Sequence, residues 1–454
     1  MDRLRAWVDG QFSNICEEFF HFLRFKTIST DPAYLSEHSR CTAWLDSLFR
    51  EMKFKVETIE TSGLPLFYAE NLEAGKNVPT VLVYGHYDVQ PVDPIDLWKS
   101  DPFEPTVRNG NVYARGALDD KGQIFFAAMA ARTLLAVDGK LPVNLKFCIE
   151  GEEENGSKGL SEGLGLLKQK LGADYLLVVD CGLPDADTPA IDLGGRGIVA
   201  MEISLRGSKE DLHSGLFGGV AYNPNRALAE LIAECWDEDG RVAVPHFYDD
   251  VIEPSEEEKK EFAKAYGKGH AKEAGIAAFS AEQGLSLMEA NWFRPTFEIN
   301  GISGGYTGAG FKTVIPAQAQ AKISCRLVPN QDPKKISRQV ADFLKAKVKK
   351  GIDLEVKVHQ GARSFRGKAD SLLAKAVAGA YEEIFQKPCL KILSGGSIPI
   401  VADLQDAIGA EVVGMGYGLA SDNIHAPNEH FGLDRFKKGI LTVARALQKM
   451  RDSR

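Results

Sequence analysis

The sequence predicts an α/β fold: one layered domain, interrupted by a smaller α+β unit. Three observations carry this. Apolar strand-like runs alternate with helix-spaced segments up to about residue 192, the pattern of a largely parallel sheet. From there to about residue 362 the strand signals alternate apolar and polar residues, as in an antiparallel sheet with one solvated face. From about residue 363 the first pattern returns. The expected boundaries are therefore 1–192 and 363–454 for the two parts of one domain, and 193–362 for the inserted one.

In chain order, the N-terminal "MDRLRAWVDGQFSNICEEFFHFLRF" alternates charges with apolar residues and reads as an amphipathic helix. It lacks the continuous apolar core and small-residue cleavage site of a signal peptide. Residues 79–84 read as a short buried strand. The segment after Asp119 spaces Ile124, Ala128, Ala131 and Leu135 as on a helix. "PVNLKFCIE" alternates Val143, Leu145, Phe147 and Ile149, a strand, and "YLLVVD" is another. In the insertion, "VAMEISLRG" and "QAKISCRLVP" are strands, with a helix after Asn225 between them. Residues 250–290 read as a long acidic, helical stretch. A helix opened by Pro333 and the strand "DLEVKVHQG" complete an order strand, helix, strand, helix, strand. The returning part gives a helix in "SLLAKAVAGAYEEIF", an apolar strand in "GAEVVGMGYG" and a final helix.

Composition narrows the function. The 454 residues carry a net charge of −9, with 44% hydrophobic and 26% charged residues, ordinary for a soluble globular chain. No long basic run suggests a nucleic-acid partner, and no apolar run reaches membrane-span length. The seven scattered cysteines suggest reduced thiols and a cytoplasmic location.

Five polar clusters sit at strand or turn ends, where open α/β sheets gather ligands. They are "GHYD" with His86 and Asp88, "GALDDKG" with Asp119 and Asp120, "EGEEENGS" with Glu152, Glu153 and Glu154, Asp180 ending "YLLVVD", and "GLASDNIHAPNEH" with His425. Each alone has a bland explanation: a loop histidine, a helix cap, a solvated acidic run, a turn aspartate. Their coincidence on one sheet points to divalent metals, since borderline ions take imidazole and carboxylate together. The charges balance as well: two divalent ions offset three carboxylates and a bridging hydroxide. Residues two apart on a strand share a face, so Asp88 can accept a hydrogen bond from His86 and fix its tautomer, while Tyr87 packs the other way.

The strings "GHYDVQPV", "RGALDDKGQ", "EGEEENGS", "DLHSGLFGG", "FKTVIPAQA", "CRLVPNQ" and "GGSIPI" resemble the aminoacylase, carboxypeptidase G and carnosinase family of co-catalytic zinc metallopeptidases, and most of all its cytosolic nonspecific dipeptidases. The resemblance covers nearly the whole chain. It implies an α/β/α sandwich of zinc-peptidase type, with a ferredoxin-like insertion serving as lid and dimerisation domain. It implies His86, Asp119, Glu154, Asp180 and His425 as ligands of two metal ions, with Asp119 bridging and followed by a cis peptide bond. Zinc is the first choice, and manganese or cobalt suit the same donors. It implies Glu153 as general base toward a metal-bridging water and Glu152 as structural, with Asp88, the carboxylate behind His86, counted among the catalytic residues. His213 would stabilise the oxyanion, across a homodimer in related proteins; Arg326 would hold the substrate carboxylate and Ser397 the substrate near its backbone. The implied reaction is hydrolysis of a dipeptide or short-peptide amide. The alternative is deacylation of an N-acyl or N-succinyl amino acid on the same centre.

Overall fold

The computed structural model describes residues 1–265, 276–359, 361–394 and 398–452. At its centre is a nine-stranded sheet. Along it run Lys55–Ile59, Leu66–Asn71, Asn144–Glu150, Thr80–His86, Tyr175–Gly182, Glu411–Gly418, Ala190–Gly195 and Phe365–Arg366, with Leu390–Ser394 also paired to Ala190–Gly195. The four middle strands, from Asn144–Glu150 to Glu411–Gly418, are parallel to their neighbours in that group. The Lys55–Ile59 and Leu66–Asn71 strands on one flank are antiparallel, so the expected parallel sheet is its core and not its whole.

Helices cover both faces, which is why the central strands are apolar almost throughout. On one side lie Asp2–Leu23, Lys121–Asp138, Leu372–Phe385 and Leu433–Asp452, sharing a core that includes Phe19, Phe22, Phe125, Tyr381 and Phe436. The N-terminal helix buries Leu4, Val8, Ile15, Phe19 and Phe22, the amphipathic stripe expected of it. On the other side, Lys158–Leu171 and Pro399–Ile408 pack Leu160, Leu164, Ile400 and Leu404 against Leu82, Tyr84 and Cys148. The alternation in "NLKFCIE" thus separates two buried faces. Leu145, Phe147 and Ile149 face one helical layer and Cys148 the other, while Lys146 is buried with its ammonium on the carbonyls of Lys170 and Gly172.

A second, four-stranded sheet runs Glu298–Gly304, Gln318–Leu327, Gly197–Arg206, Asp353–Val358, antiparallel at every pairing. Helices Pro224–Ala233 and Pro333–Lys347 pack on it through Leu228, Leu231, Ile336, Val340 and Leu344. In chain order this is strand, helix, strand, strand, helix, strand, a ferredoxin-like arrangement. The sequence reading lacked Glu298–Gly304. That strand lies on an edge, is largely exposed, and shifts register between Ile299 and Gly301, so it carries almost no apolar signal.

The 250–290 stretch also differs from expectation. Among the described residues it forms two short helices, Glu256–Ala263 and Leu287–Trp292, each opened by a serine capping box. Residues 266–275 fall outside the described residues. Phe262, Met288 and Phe293 do not join the core of the four-stranded sheet but that of the central one. Arg366 lies over the Phe262 ring and pairs with Glu258 at 3.1 Å. A further small sheet, His430–Gly432 with Asn111–Tyr113 and Thr106–Arg108, was also not anticipated; its strands have three residues each. Among the described residues no helix is long and apolar enough to cross a membrane.

Candidate metal centre

The carboxyl ends of the parallel strands assemble the site. His86 is the last residue of Thr80–His86 and is fully buried. Asp180 lies near the end of Tyr175–Gly182, and Glu153 and Glu154 form a single turn just beyond Asn144–Glu150. His425 follows Glu411–Gly418, in a left-handed backbone conformation (φ 59°). Asp119 is the exception to the strand-end rule: it ends a loop at the head of helix Lys121–Asp138, and the Asp119–Asp120 peptide is cis.

The five residues expected to hold metal fall into two groups that share Asp119. One is His86, Asp119 and Asp180; the other is Asp119, Glu154 and His425. Within each group one ligand atom per residue lies within 4.8 Å of the others. One Asp119 oxygen is 3.1 Å from His86 Nε2 and the other 2.8 Å from His425 Nε2. Asp180 approaches His86 Nε2 to 3.8 Å, and Glu154 approaches His425 Nε2 to 3.4 Å.

His86 is oriented from behind. Its Nδ1 lies 3.1 Å from the backbone carbonyl of Asp88 and 3.3 Å from the Asp88 carboxylate. Both neighbours only accept, so Nδ1 carries a proton and Nε2 is the atom turned to Asp119 and Asp180. The strand ends at His86, so strand alternation is not what places Asp88. The Asp88 carboxylate is also committed elsewhere: its two oxygens accept the backbone N–H groups of Glu153 and Glu154, each at 3.1 Å. Asp88 therefore fixes the imidazole and the Glu153–Glu154 turn together. Tyr87 is buried and donates to the Pro65 carbonyl at 2.7 Å, a packing role as expected. Glu152 accepts from the backbone of Leu64 and Gly159 at 2.9 and 3.1 Å, consistent with a structural part.

Two supporting roles escaped the sequence reading, which took Asp120 only as a member of the acidic pair before a helix. Asp120 is buried and accepts the His86 backbone N–H at 3.1 Å. Gly85 is required beside it, since a Cβ there would collide with the Asp120 carboxylate. Gln90 donates to Glu154 at 2.7 Å and turns that carboxylate. Its signal was its place four residues after His86 in "GHYDVQPV", where nothing marks a glutamine as directional.

The electrostatics follow from crowding carboxylates and imidazoles out of water. Burial, with the neighbouring Glu154 and Asp119 charges, pushes Glu153 up to about 8. Burial and the Asp119 charge raise Asp180 well above the carboxylate range. Hydrogen bonds to Asp119 and Glu154 raise His425 to about 10. For His86 burial pulls down, but its bonds to Asp119 and Asp88 prevail and raise it well above the usual value. Burial would raise Asp119 too, yet both histidines hold it low. Carboxylates crowded out of water thus draw protons and imidazolium charge into the centre. Divalent cations between the same Nε2 and carboxylate oxygens would supply that charge instead, so the donor set fits two such ions.

Two of the remaining expected residues are among those described. His213 ends the short strand Leu212–His213, paired with Val314–Ile315; it is exposed, and its Nδ1 accepts the Gly215 N–H at 3.0 Å. Among the described residues it has no hydrogen bond or ion pair to the centre. Arg326 lies half-buried on Gln318–Leu327, opposite Ile198. Ser397 lies outside the described residues.

Known proteins share this architecture. The M20 family metallo-carboxypeptidase from Sulfolobus solfataricus superposes with a TM-score of 0.85 at 32% identity, over 96% of this chain and 99% of that one. Human carnosine dipeptidase 1 superposes at 0.80 and 27% identity, over 99% and 98%. In sequence, the Beta-Ala-His dipeptidase of Homo sapiens is 32% identical over 387 residues, 84% of this chain and 76% of that protein. The Cys-Gly metallodipeptidase dug1 of Schizosaccharomyces pombe is 32% identical over 373 residues, 80% and 78%. The family model described as peptidase family M20/M25/M40 matches residues 82–449. With that match and these relatives, the chain belongs to peptidase family M20/M25/M40.

Proposed function

We propose that this chain is a metal-dependent hydrolase of dipeptides or short peptides, working with two divalent ions. The observation that carries this is the pair of ligand groups sharing Asp119, with Glu153 beside Glu154 at their edge. The names of the sequence relatives, Beta-Ala-His dipeptidase and Cys-Gly metallodipeptidase, support a dipeptide substrate.

His86, Asp119 and Asp180 would hold one ion, and Asp119, Glu154 and His425 the other. Such ions acidify a water molecule and polarise the substrate carbonyl. Glu153 takes the proton of the attacking water and delivers it to the leaving amine. Asp88 holds the Glu153 backbone and the His86 ring in one frame, so base and ligand keep their spacing. Arg326 grips the substrate carboxylate through its guanidinium fork, Ser397 contacts the substrate near its backbone, and His213 stabilises the oxyanion from a second copy of the chain. Zinc is the preferred ion, with manganese or cobalt as working substitutes, and the setting is cytoplasmic.

The test is a substrate panel of plain dipeptides and N-acyl amino acids, run with defined zinc or manganese and with chelator. Metal-dependent release of amino acids from dipeptides is the expected result. Exclusive turnover of acyl amino acids would make the chain a deacylase instead, and no metal-dependent hydrolysis of either class would sink the enzymatic reading.

A further inference from the structure

We propose that Glu429 is a positioning residue for this centre, fixing Asp119 relative to His425; this rests on the two-metal reading above. Glu429 is fully buried, four residues beyond His425. One carboxylate oxygen accepts the backbone N–H groups of Leu118 at 3.0 Å and Asp119 at 3.1 Å. The other accepts the Gly116 N–H at 3.0 Å and the Arg115 guanidinium at 2.7 Å. Its four donors thus come from residues 115–119, the loop that ends in the aspartate common to both ligand groups. The Asp119 amide faces Glu429 while its carboxylate lies between the two imidazoles.

The connection extends on both sides. The Glu429 carbonyl accepts the Ala114 N–H at 3.2 Å, and the next residue begins the strand His430–Gly432 that pairs with Asn111–Tyr113. Arg115 donates to the Pro91 carbonyl at 3.0 Å, which ties in the segment following His86 and Asp88. One carboxylate thereby joins the segment of His425, the loop of Asp119 and, through Arg115, the chain beyond His86. A buried ion pair is a poor source of stability, because an apolar pair of similar volume often serves as well. What Glu429 adds is direction: it takes up amide groups that would otherwise leave the Asp119 loop free to tilt.

The experiment uses the full-length, metal-free protein. Wild type, Glu429→Gln and Glu429→Asp are titrated with zinc and with manganese by calorimetry, well below each metal-free melting temperature, which is measured separately. Gln sets an NH2 group against N–H donors; Asp keeps the charge and withdraws the carboxylate by one methylene. Both binding steps should weaken by about 10–100-fold, because Asp119 serves both ions. A residue that only supports the fold would lower the melting temperature and leave both affinities within about twofold, and that result overturns the proposal. If Glu429→Gln does not fold, Glu429→Asp decides by the same criterion. Fewer than two ions on the wild type overturns the two-metal reading and this inference with it. Two ions on the wild type, with unchanged affinities in the variants, overturns this inference alone.

Discussion

A carboxylate beside two metal sites can serve as ligand or as base, and Glu153 and Glu154 are adjacent in sequence. The geometry separates them: Glu154 Oε1 lies within reach of His425, whereas Glu153 is in neither ligand group. Replacing Glu153 by Ala should therefore lower turnover by about 10²–10⁴-fold. Metal analysis of the same preparation should still give two ions per chain; one ion would make Glu153 a ligand. Asp88 fails differently. Its two oxygens hold two backbone amides and abut the His86 ring, so an Asn cannot satisfy all three. Asp88→Asn should weaken metal affinity or kcat by about 10–100-fold, with KM changing less, as measured by metal titration and steady-state kinetics. The candidate ligands were legible in the sequence through the coincidence of histidines and acids at strand and turn ends and through the family resemblance, since each alone has a bland reading. The aiming roles of Asp120 and Gln90, and the one proposed for Glu429, were not, because aim exists only once loops distant in sequence come together.

At the level of elements, legibility followed burial in the parallel centre of the sheet, although the buried strands Leu66–Asn71 and Ala190–Gly195 were not anticipated. The central strands and the helices Leu372–Phe385 and Leu433–Asp452 announced themselves by apolar runs or helical spacing. The edge strand Glu298–Gly304 and the three-residue strands near Asn111 did not, since exposed or short pairings need no apolar residues. The strand Ala190–Gly195, beside the Phe365–Arg366 strand, holds one polar surprise. Asp192 is buried there, and its carboxylate accepts the Gly194 N–H at 2.9 Å. Burial outweighs that bond and raises its pKa from 3.8 to about 7. A carboxyl raised on folding binds protons more tightly in the native state. Its contribution is thus fully favourable below the unfolded pKa near 4 and is lost as pH rises through 7. Asp192→Asn keeps the acceptor and removes the ionisation. It should raise the melting temperature at pH 8 by a few degrees more than at pH 4, reflecting a penalty on the order of 1–4 kcal/mol. An equal shift at both pH values would show that Asp192 ionises in the folded protein as readily as in the unfolded chain.

At the scale of the whole molecule, the centre is built by one part of the chain, while two of the expected substrate-handling residues sit on the other. Arg326 lies on the four-stranded sheet, and His213 on an exposed two-residue strand with no bond to the centre among the described residues. Around His213 the surface is unusually apolar for a solvated loop: Leu216 and Val220 are 74% and 82% exposed, and Phe217 is also exposed. Such a patch suits burial against another protein surface. In a symmetric dimer, a residue too distant for its own centre can serve the partner's. The proposal that His213 does so makes a quantitative claim. Take chains carrying His213→Ala and chains carrying Glu153→Ala, each alone inactive or nearly so. If the histidine acts across the dimer, each mixed dimer contains one centre with both an intact Glu153 and an intact His213. Random exchange at equal concentrations makes half the dimers mixed, so activity should return to about a quarter of wild type. If His213 serves its own chain, every centre in every mixed dimer lacks one of the two groups, and nothing returns. Co-expressed, differently tagged chains isolated as proven mixed dimers sharpen the reading to about half of wild-type activity against none.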